Sequence, residues 1–467
     1  MTLFKKETFA KDVHKALRAW HQTSGTDENM LSYLLLVQSA RIENSSPSRR
    51  LATNIVLEDG LALLGQRNQE GMRVLRSRFQ DGMIAQHVAN QLNCSIDHVN
   101  RLQRIAIEEL SLILLEAEEK ARSAWIIDWQ SRLPVATYSQ LVGVDKVLDL
   151  LVEQFVAHTA EAKVVALCGI GGIGKTSLAH AATCQLIERA AFDAFVWLRV
   201  DPSKLERSFA TASNIVDWVV EDLANRLLPK ETVSSDASER LRQVRQLLNT
   251  TPHLVVLDNF ESHTDISLLL TYLVDWAGVS QFLVTTRVRP VNSAEIFIIT
   301  LEELEETQAA GLIRNHAKAI HLPELVTAND EQTKPIYKVV GGNPLALKLV
   351  VSLAAIMPIR RILHDLEKNR TGEVEDLYRY IYFQAWKVLS EQAKNLLQAM
   401  ALVTDEGASV EHLQRISKLS EELFWSAIPE LVSRSLIEVR GTTYDRRYGC
   451  HRLTRTFLRH DILGWDD

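Results

Sequence analysis

Hydrophobic and polar positions along the chain change rhythm twice. Up to about residue 130, apolar side chains recur at helical spacing, most clearly in LSYLLLVQ (31–38) and in the long stretch from Ile96 to Ala124. The polar segment IENSSPSRR (42–50) reads as a break between helices. Around SRLPVATYSQLVG (131–143) the helical period stops and a Pro stands among small polar residues. From about Lys163 short, mostly apolar runs rich in β-branched residues take over: VVALCG, AFVWLRV, HLVVLD, QFLVTT and EIFIIT. Helix-like segments separate most of them, which predicts a parallel sheet covered on both faces. After residue 301 the helical period returns in LEELEETQAAGLIRNHA and PLALKLVVSLAAI. The last ninety or so residues read as helices followed by two strand-like pieces, SLIEVRG and YGCHRLT, a pattern that suggests a winged helix. The expected division is a helical domain (1–130), a linker (131–143), an α/β domain (144–300), a helical domain (301–370) and a winged-helix domain (371–467).

The length of 467 residues agrees with about three domains, and 46% apolar with 24% charged residues is the composition of a folded protein. A net charge of -7 gives no global attraction to nucleic acid or to an anionic membrane. Cys94, Cys168, Cys184 and Cys450 are scattered, with no CxxC pair and no His–Cys metal spacing. MTLFKKETFAKD lacks an apolar signal core, and no apolar run reaches the roughly 18 residues of a membrane helix, so the expected location is cytoplasmic.

The chemistry concentrates in CGIGGIGKTS (168–177), where Gly169, Gly174, Lys175 and Thr176 fit G-x-x-x-x-G-K-[ST]. Glycines let the backbone turn its N–H groups toward phosphates, and a helix opening near Lys175 adds its positive end. The loop from Gly169 through Gly171, Gly172 and Ile173 to Ser177 is therefore expected to cradle a nucleotide. Lys175 would reach the β and γ oxygens, and the Thr176 hydroxyl would ligate Mg2+. HLVVLDNFE places Asp258 at the carboxyl end of a buried strand, where ligands of doubly wound sheets bind, and makes it the second metal candidate. QFLVTTR ends in Arg287, which could meet a γ-phosphate through two parallel hydrogen bonds and so distinguish ATP from ADP. Hydrolysis needs a group that positions or activates water. The residue after Asp258 is Asn259, an amide that cannot act as a base, and Glu261 would have to substitute from another angle. Lys175, Asp258, Glu261 and Arg287 are thus the catalytic candidates of a slow ATPase.

GIGGIGKTSLA, LVVLDNFE, FLVTTR and GGNPLALKLV, in that order, resemble the NB-ARC branch of the STAND signalling ATPases, over about residues 140–460. LVGVDKVLDLL (141–151) resembles the segment that wraps the adenine in that family, which brings in Val142 and Gly143, with Val144 where an Arg is usual. The resemblance implies that Pro344 packs on the adenine. It also implies that His451 in YGCHRLT is the winged-helix histidine offered to the β-phosphate of ADP, here between Cys450 and Arg452 instead of in Met-His-Asp. It implies a molecular switch, closed with ADP and opening or self-associating with ATP. The rival expectation is a P-loop ATPase that hydrolyses continuously to remodel a protein or nucleic-acid partner. Many members continue into ligand-sensing repeats, and no 20–50-residue repeat occurs here, so sensing would fall to a partner or to the flanking domains.

RFQDGMIAQHVANQLNCSIDHVNRLQRIAIEEL, within about residues 71–112, has helix-turn-helix character. Val88, Leu92, Cys94, Val99 and Leu102 form its apolar side, Ala89 stands where two helices would touch, Asn93 suits the turn and Ser95 can cap the second helix. The region resembles the helix-turn-helix of bacterial sigma factors. Asp97, His98, Asn100, Arg101 and Arg104 would then face DNA. The segment is not basic, with Arg73, Arg76, Arg78, Arg101 and Arg104 set against Asp81, Asp97, Glu108 and Glu109. A protein-docking module is the equal alternative.

Overall fold

The computed structural model describes the chain except residues 1–5, 23–29, 44–47, 157–161, 200–211, 230–231, 261–265, 291–293, 369–378, 405–406, 442–444 and 465–467 and positions 288, 380, 381, 384, 388 and 435. It forms two compact units, residues 1–131 and 132–467.

The first unit is helical throughout its described residues: α1 (Lys6–Arg18), α2 (Leu35–Glu43), α3 (Arg49–Arg67), α4 (Gln69–Leu75), α5 (Ala85–Gln91) and α6 (Ile96–Arg132). Its core joins Phe9, Val13 and Leu17 of α1, Leu57, Leu61 and Leu64 of α3, and Ile107, Leu110 and Leu114 of α6. The apolar period that predicted a helix from Ile96 is thus the face α6 buries. The α2 N-terminus, with no capping residue of its own, is capped from far along the chain. The buried Glu118 carboxylate of α6 accepts from the backbone N–H groups of Leu35 and Leu36, both at 3.1 Å, and pairs with Arg122 at 3.0 Å.

A smaller cluster of Val74, Val88, Ala89 and Val99, flanked by Leu92, Cys94 and Leu102, packs α5 against the start of α6. Asn93 takes the left-handed turn (φ 49°) and the Ser95 hydroxyl accepts the N–H of His98 at 3.1 Å. Asp97, Asn100, Arg101 and Arg104 lie along one exposed face of α6, and the Arg101 guanidinium is 3.0 Å from Nδ1 of the partly exposed His98.

The second unit opens with α7 (Asp145–Val156) and a five-stranded parallel sheet in the order β2-β3-β4-β1-β5. The strands are β1 (Val164–Cys168), β2 (Ala194–Arg199), β3 (His253–Phe260), β4 (Gln281–Thr286) and β5 (Ile296–Thr300). The fold is that of a P-loop NTPase domain. All five apolar runs of the sequence are strands, and β1, at the point where the strand order reverses, is buried at every position. The connections carry α8 (Lys175–Glu188), α9 (Ala212–Leu227), α10 (Ala237–Thr250) and α11 (Ile266–Ala277). Side chains of α9, α10 and α11 share a core with β2, β3 and β4. Gly174 leads into α8 at φ 105°, a backbone state that a side chain would strain.

Helices follow: α12 (Glu306–Ala319), α13 (Asp330–Val340), α14 (Pro344–Ala354), α15 (Ile359–Lys368), α16 (Glu391–Ala399), α17 (Val410–Ser417) and α18 (Glu421–Ser433). The antiparallel hairpin β6 (Glu438–Gly441) and β7 (Arg446–Gly449) and α19 (Arg452–Phe457) complete the unit. One continuous core runs from Leu304 through Ala346 and Leu349 to Tyr382, Tyr448 and Leu458. The strand expected over YGCHRLT is corrected: β7 stops at Gly449 and the chain turns helical at Arg452. The reason is local, since the His451 carbonyl already accepts the N–H of Arg455 at 3.0 Å, the first bond of a helix. No single helix among the described residues is long and apolar enough to cross a membrane.

Candidate nucleotide site

Parallel strands bring their carboxyl ends to one edge, and the site grows from what stands there. Past β1 the loop folds around its own lysine: Lys175, nearly buried, donates to the carbonyls of Gly169 (2.8 Å) and Ile170 (3.0 Å). Asp258 on β3 is fully buried, and its Oδ1 accepts the hydroxyls of Thr176 and Thr285, both at 2.8 Å. Its Oδ2 accepts no hydrogen bond and lies 3.7 Å from Nε of Arg199 at the end of β2. A hydroxyl beside a buried carboxylate with one oxygen still open is a donor set that fits a small divalent cation.

Asn259 takes φ 66°, a left-handed state that Asn tolerates, and its N–H donates to Thr285 Oγ1 at 2.8 Å. The residue that removes a base from this position therefore also suits the bulge that β3 makes here. Arg287 packs on the loop: a methyl group at Gly171 would come within 3.2 Å of its Nη2.

The helical segment reaches the same loop through GGNP. The second glycine presses onto the backbone at Leu304, where a side chain at Gly342 would stand 2.1 Å from the Leu304 carbonyl oxygen. Leu304 N–H donates to Gly342 O, and Gly342 N–H to Glu303 Oε2, both at 3.0 Å. Asn343, 2% exposed, caps α14 through Oδ1, which accepts from Leu345 N (3.1 Å) and Ala346 N (3.3 Å). Its Nδ2 donates to the carbonyl of Gly171 at 2.9 Å. Pro344 follows at the first helical position, where its missing N–H costs nothing.

One cleft gathers these parts. Val142, Gly171, Gly172, Ile173, Gly174, Lys175, Thr176, Ser177, Arg287, Pro344 and His451 all line it. Asp258 joins through Thr176, whereas Gly143 and Gly169 stand just outside the lining, Gly143 accepting from Gln308 Nε2 at 3.3 Å. Glu261 lies outside the described residues. Asp97, His98, Asn100, Arg101 and Arg104 belong to the other unit.

Sequence reasoning missed Tyr138, Arg199, Lys348 and Glu438, which also line the cleft, and the buried Asn343. Arg199 was findable, because it ends a buried strand at the same edge as Asp258. Tyr138 was hidden in an apparent linker. Its hydroxyl is 3.0 Å from His180 Nδ1, and burial, with Cys184 nearby, pushes it up to about 12. Burial also lowers the His180 ring below its ordinary value, against the pull of the Pro134 backbone and Asp258. Lys348 of α14 is lowered by burial, with Glu438 of β6 opposing.

The model of the NB-ARC domain matches residues 143–321. The chain carries an NB-ARC domain. The match spans the segment before α7, the phosphate loop, β3 with Asp258, β4 and α12. The chain is similar to a putative disease resistance protein of Arabidopsis thaliana, 26% identical over 320 residues, 64% of this chain and 35% of that protein. It is also similar to the disease resistance protein RPM1 of the same plant, 25% identical over 267 residues, 56% of this chain and 28% of that protein. The chain thus spans about a third of the length of these curated relatives. A crystal structure of a STAND protein with a tetratricopeptide repeat sensor from Pyrococcus horikoshii covers 72% of this chain and 44% of its own. It is 19% identical, with a TM-score of 0.47. Nucleotide binding is what the NB-ARC family implies for the cleft.

Proposed function

We propose that the chain is a nucleotide-controlled switch, held closed by ADP and opened toward self-association by ATP, within a signalling or regulatory pathway. One observation carries this reading: a single cleft is lined by the phosphate loop, by Pro344 of the helical segment and by His451 after the hairpin. A ligand there touches parts of the chain that are distant in sequence, so its identity can decide whether they stay together. It does so only through unequal affinity for the two arrangements. In this reading the loop N–H groups and Lys175 hold the phosphates, and Thr176 and Asp258 hold Mg2+, which would neutralise phosphate charge. Val142, Gly143 and Pro344 take the adenine. His451 favours the diphosphate state and Arg287 the triphosphate state. The moving parts are the α/β domain (144–300), the helical domain (301–370) and the winged helix (371–467). Asn259 leaves hydrolysis slow, a reset and not a motor stroke.

The output is assigned to the α5–α6 pair, whose exposed Asp97, Asn100, Arg101 and Arg104, with His98 beside them, would meet duplex DNA or a protein partner. A gel shift at about 50 mM salt, where phosphate contacts are strongest, separates the two. The decisive experiment is to denature freshly purified protein and identify the nucleotide released. Retained ADP is expected. An empty site, or phosphate release from added ATP faster than roughly 1 s⁻¹, would overturn the switch in favour of a continuously working ATPase.

A further inference from the structure

A buried carboxylate is costly unless a cation or several donors hold its charge. Asp258, 1% exposed, spends Oδ1 on two hydroxyl donors at 2.8 Å, which leaves Oδ2 to meet a cation. The cation beside Oδ2 belongs to the protein. Arg199 is the last residue of β2 and pairs in register with Asp258 on β3, so both side chains project from the same face of the sheet. Its Nε stands 3.7 Å from Oδ2, close enough for charge pairing and too far for a hydrogen bond. Arg199 is 25% exposed and lines the cleft with Thr285 and Arg287, so the guanidinium can leave Asp258 for the phosphates without crossing the core. A guanidinium stays charged at any ordinary pH, and it repels a divalent cation that approaches the same oxygen.

We propose that Arg199 is a resident counter-cation that sets the metal dependence of the cleft. It satisfies Asp258 while a metal-free diphosphate is bound, and yields Oδ2 when a divalent cation arrives with a triphosphate. The inference rests on the nucleotide-switch reading and adds the residue that couples metal to phosphate number. Arg199 acts through Asp258 and is a positioning residue.

The test is equilibrium binding of fluorescent ADP and ATP to the full chain, in excess chelator and across a Mg2+ titration. It compares the wild type, Arg199→Gln and Arg199→Lys. For the wild type, the ADP dissociation constant should change by less than about threefold between chelator and saturating Mg2+. In Arg199→Gln, ADP should weaken about tenfold in chelator and recover with Mg2+, and the Mg2+ midpoint for ATP should fall about tenfold. Arg199→Lys should behave as the wild type, since it keeps the charge. Wild-type ADP binding that collapses in chelator overturns the proposal, as does an Arg199→Gln variant with unchanged chelator affinity and Mg2+ midpoint. If nucleotide binds but Arg199→Gln tracks the wild type, only the role of Arg199 falls. If the wild type binds neither nucleotide under any metal condition, the reading of the cleft falls with it. Should Arg199→Gln fail to fold, Arg199→Met, which also removes the charge, takes its place beside the wild-type comparison.

Discussion

Asn343 offers the sharpest perturbation, because one buried side chain serves two purposes that two substitutions can separate. Its Oδ1 caps α14, and its Nδ2 ties that helix to the phosphate loop at Gly171. Asn343→Ala removes both. Loss of the cap costs about 1 kcal/mol, and loss of the amide–carbonyl bond costs about 1 kcal/mol more. A total of about 2 kcal/mol makes local opening of the first turn of α14 about thirtyfold more frequent. Amide hydrogen exchange at Leu345 and Ala346 reads this directly, and nucleotide affinity should fall with it. Asn343→Asp keeps an equally good cap but turns a carboxylate, with no proton to donate, against the Gly171 carbonyl. Exchange at Leu345 and Ala346 should then stay at the wild-type rate while nucleotide binding weakens about fivefold to tenfold, the worth of a buried hydrogen bond. An Ala variant whose exchange changes less than about threefold, or an Asp variant with wild-type affinity, would refute the assignment.

Three further outcomes are expected. His451→Ala should release ADP about tenfold faster or more, the worth of one hydrogen bond to a charged group, and should self-associate more readily; unchanged release in stopped flow would contradict its role. Steady-state ATP turnover should stay below roughly 1 s⁻¹, measured as phosphate release, because Asn259 offers no base; faster turnover would contradict the switch. Burial, with Lys348 nearby, holds the His316 ring at about 4 instead of 6.5. A depressed histidine gives stability that is complete above pH 6.5 and is lost as pH falls from there toward 4, because the unfolded chain takes up the proton first. His316→Asn should flatten the chemical-denaturation profile over that window, and a profile as steep as that of the wild type would count against the assignment.

The sheet was legible because its strands are short, bounded and, apart from the edge strand β5, buried on both faces, so VVALC and HLVVLD announce themselves without help from their neighbours. The phosphate loop was legible because chemistry fixes both its residue types and their spacing. Asp258 and Arg287 followed from one rule about strand ends, and the same rule applied to AFVWLR would have given Arg199. Asn343 and Lys348 were harder to find. The place of Lys348 in the cleft and of Asn343 against the phosphate loop arises from the close approach of Gly342 to Leu304, a contact between segments that no local period records. The stretch YGCHRLT misled because Tyr448 and Cys450 are apolar and buried, as in a strand, yet the helix of RLTRTF begins just beyond. Glu118 capping α2 across the first unit could not be foreseen at all, because a cap supplied from another helix leaves no mark at the helix it caps.

The histidine after the hairpin is bolted down. Three residues on, the buried Thr454 hydroxyl donates to the Tyr382 hydroxyl at 3.0 Å, and the Tyr382 ring stacks on Phe457 with centroids 5.5 Å apart. The backbone beneath the imidazole therefore has no private hinge. To withdraw that backbone from the cleft, α19 and its anchoring aromatic rings must move along, so intermediate positions would sacrifice packing and gain nothing. Disengagement should be abrupt and cooperative, behaving like a toggle and never like a dial.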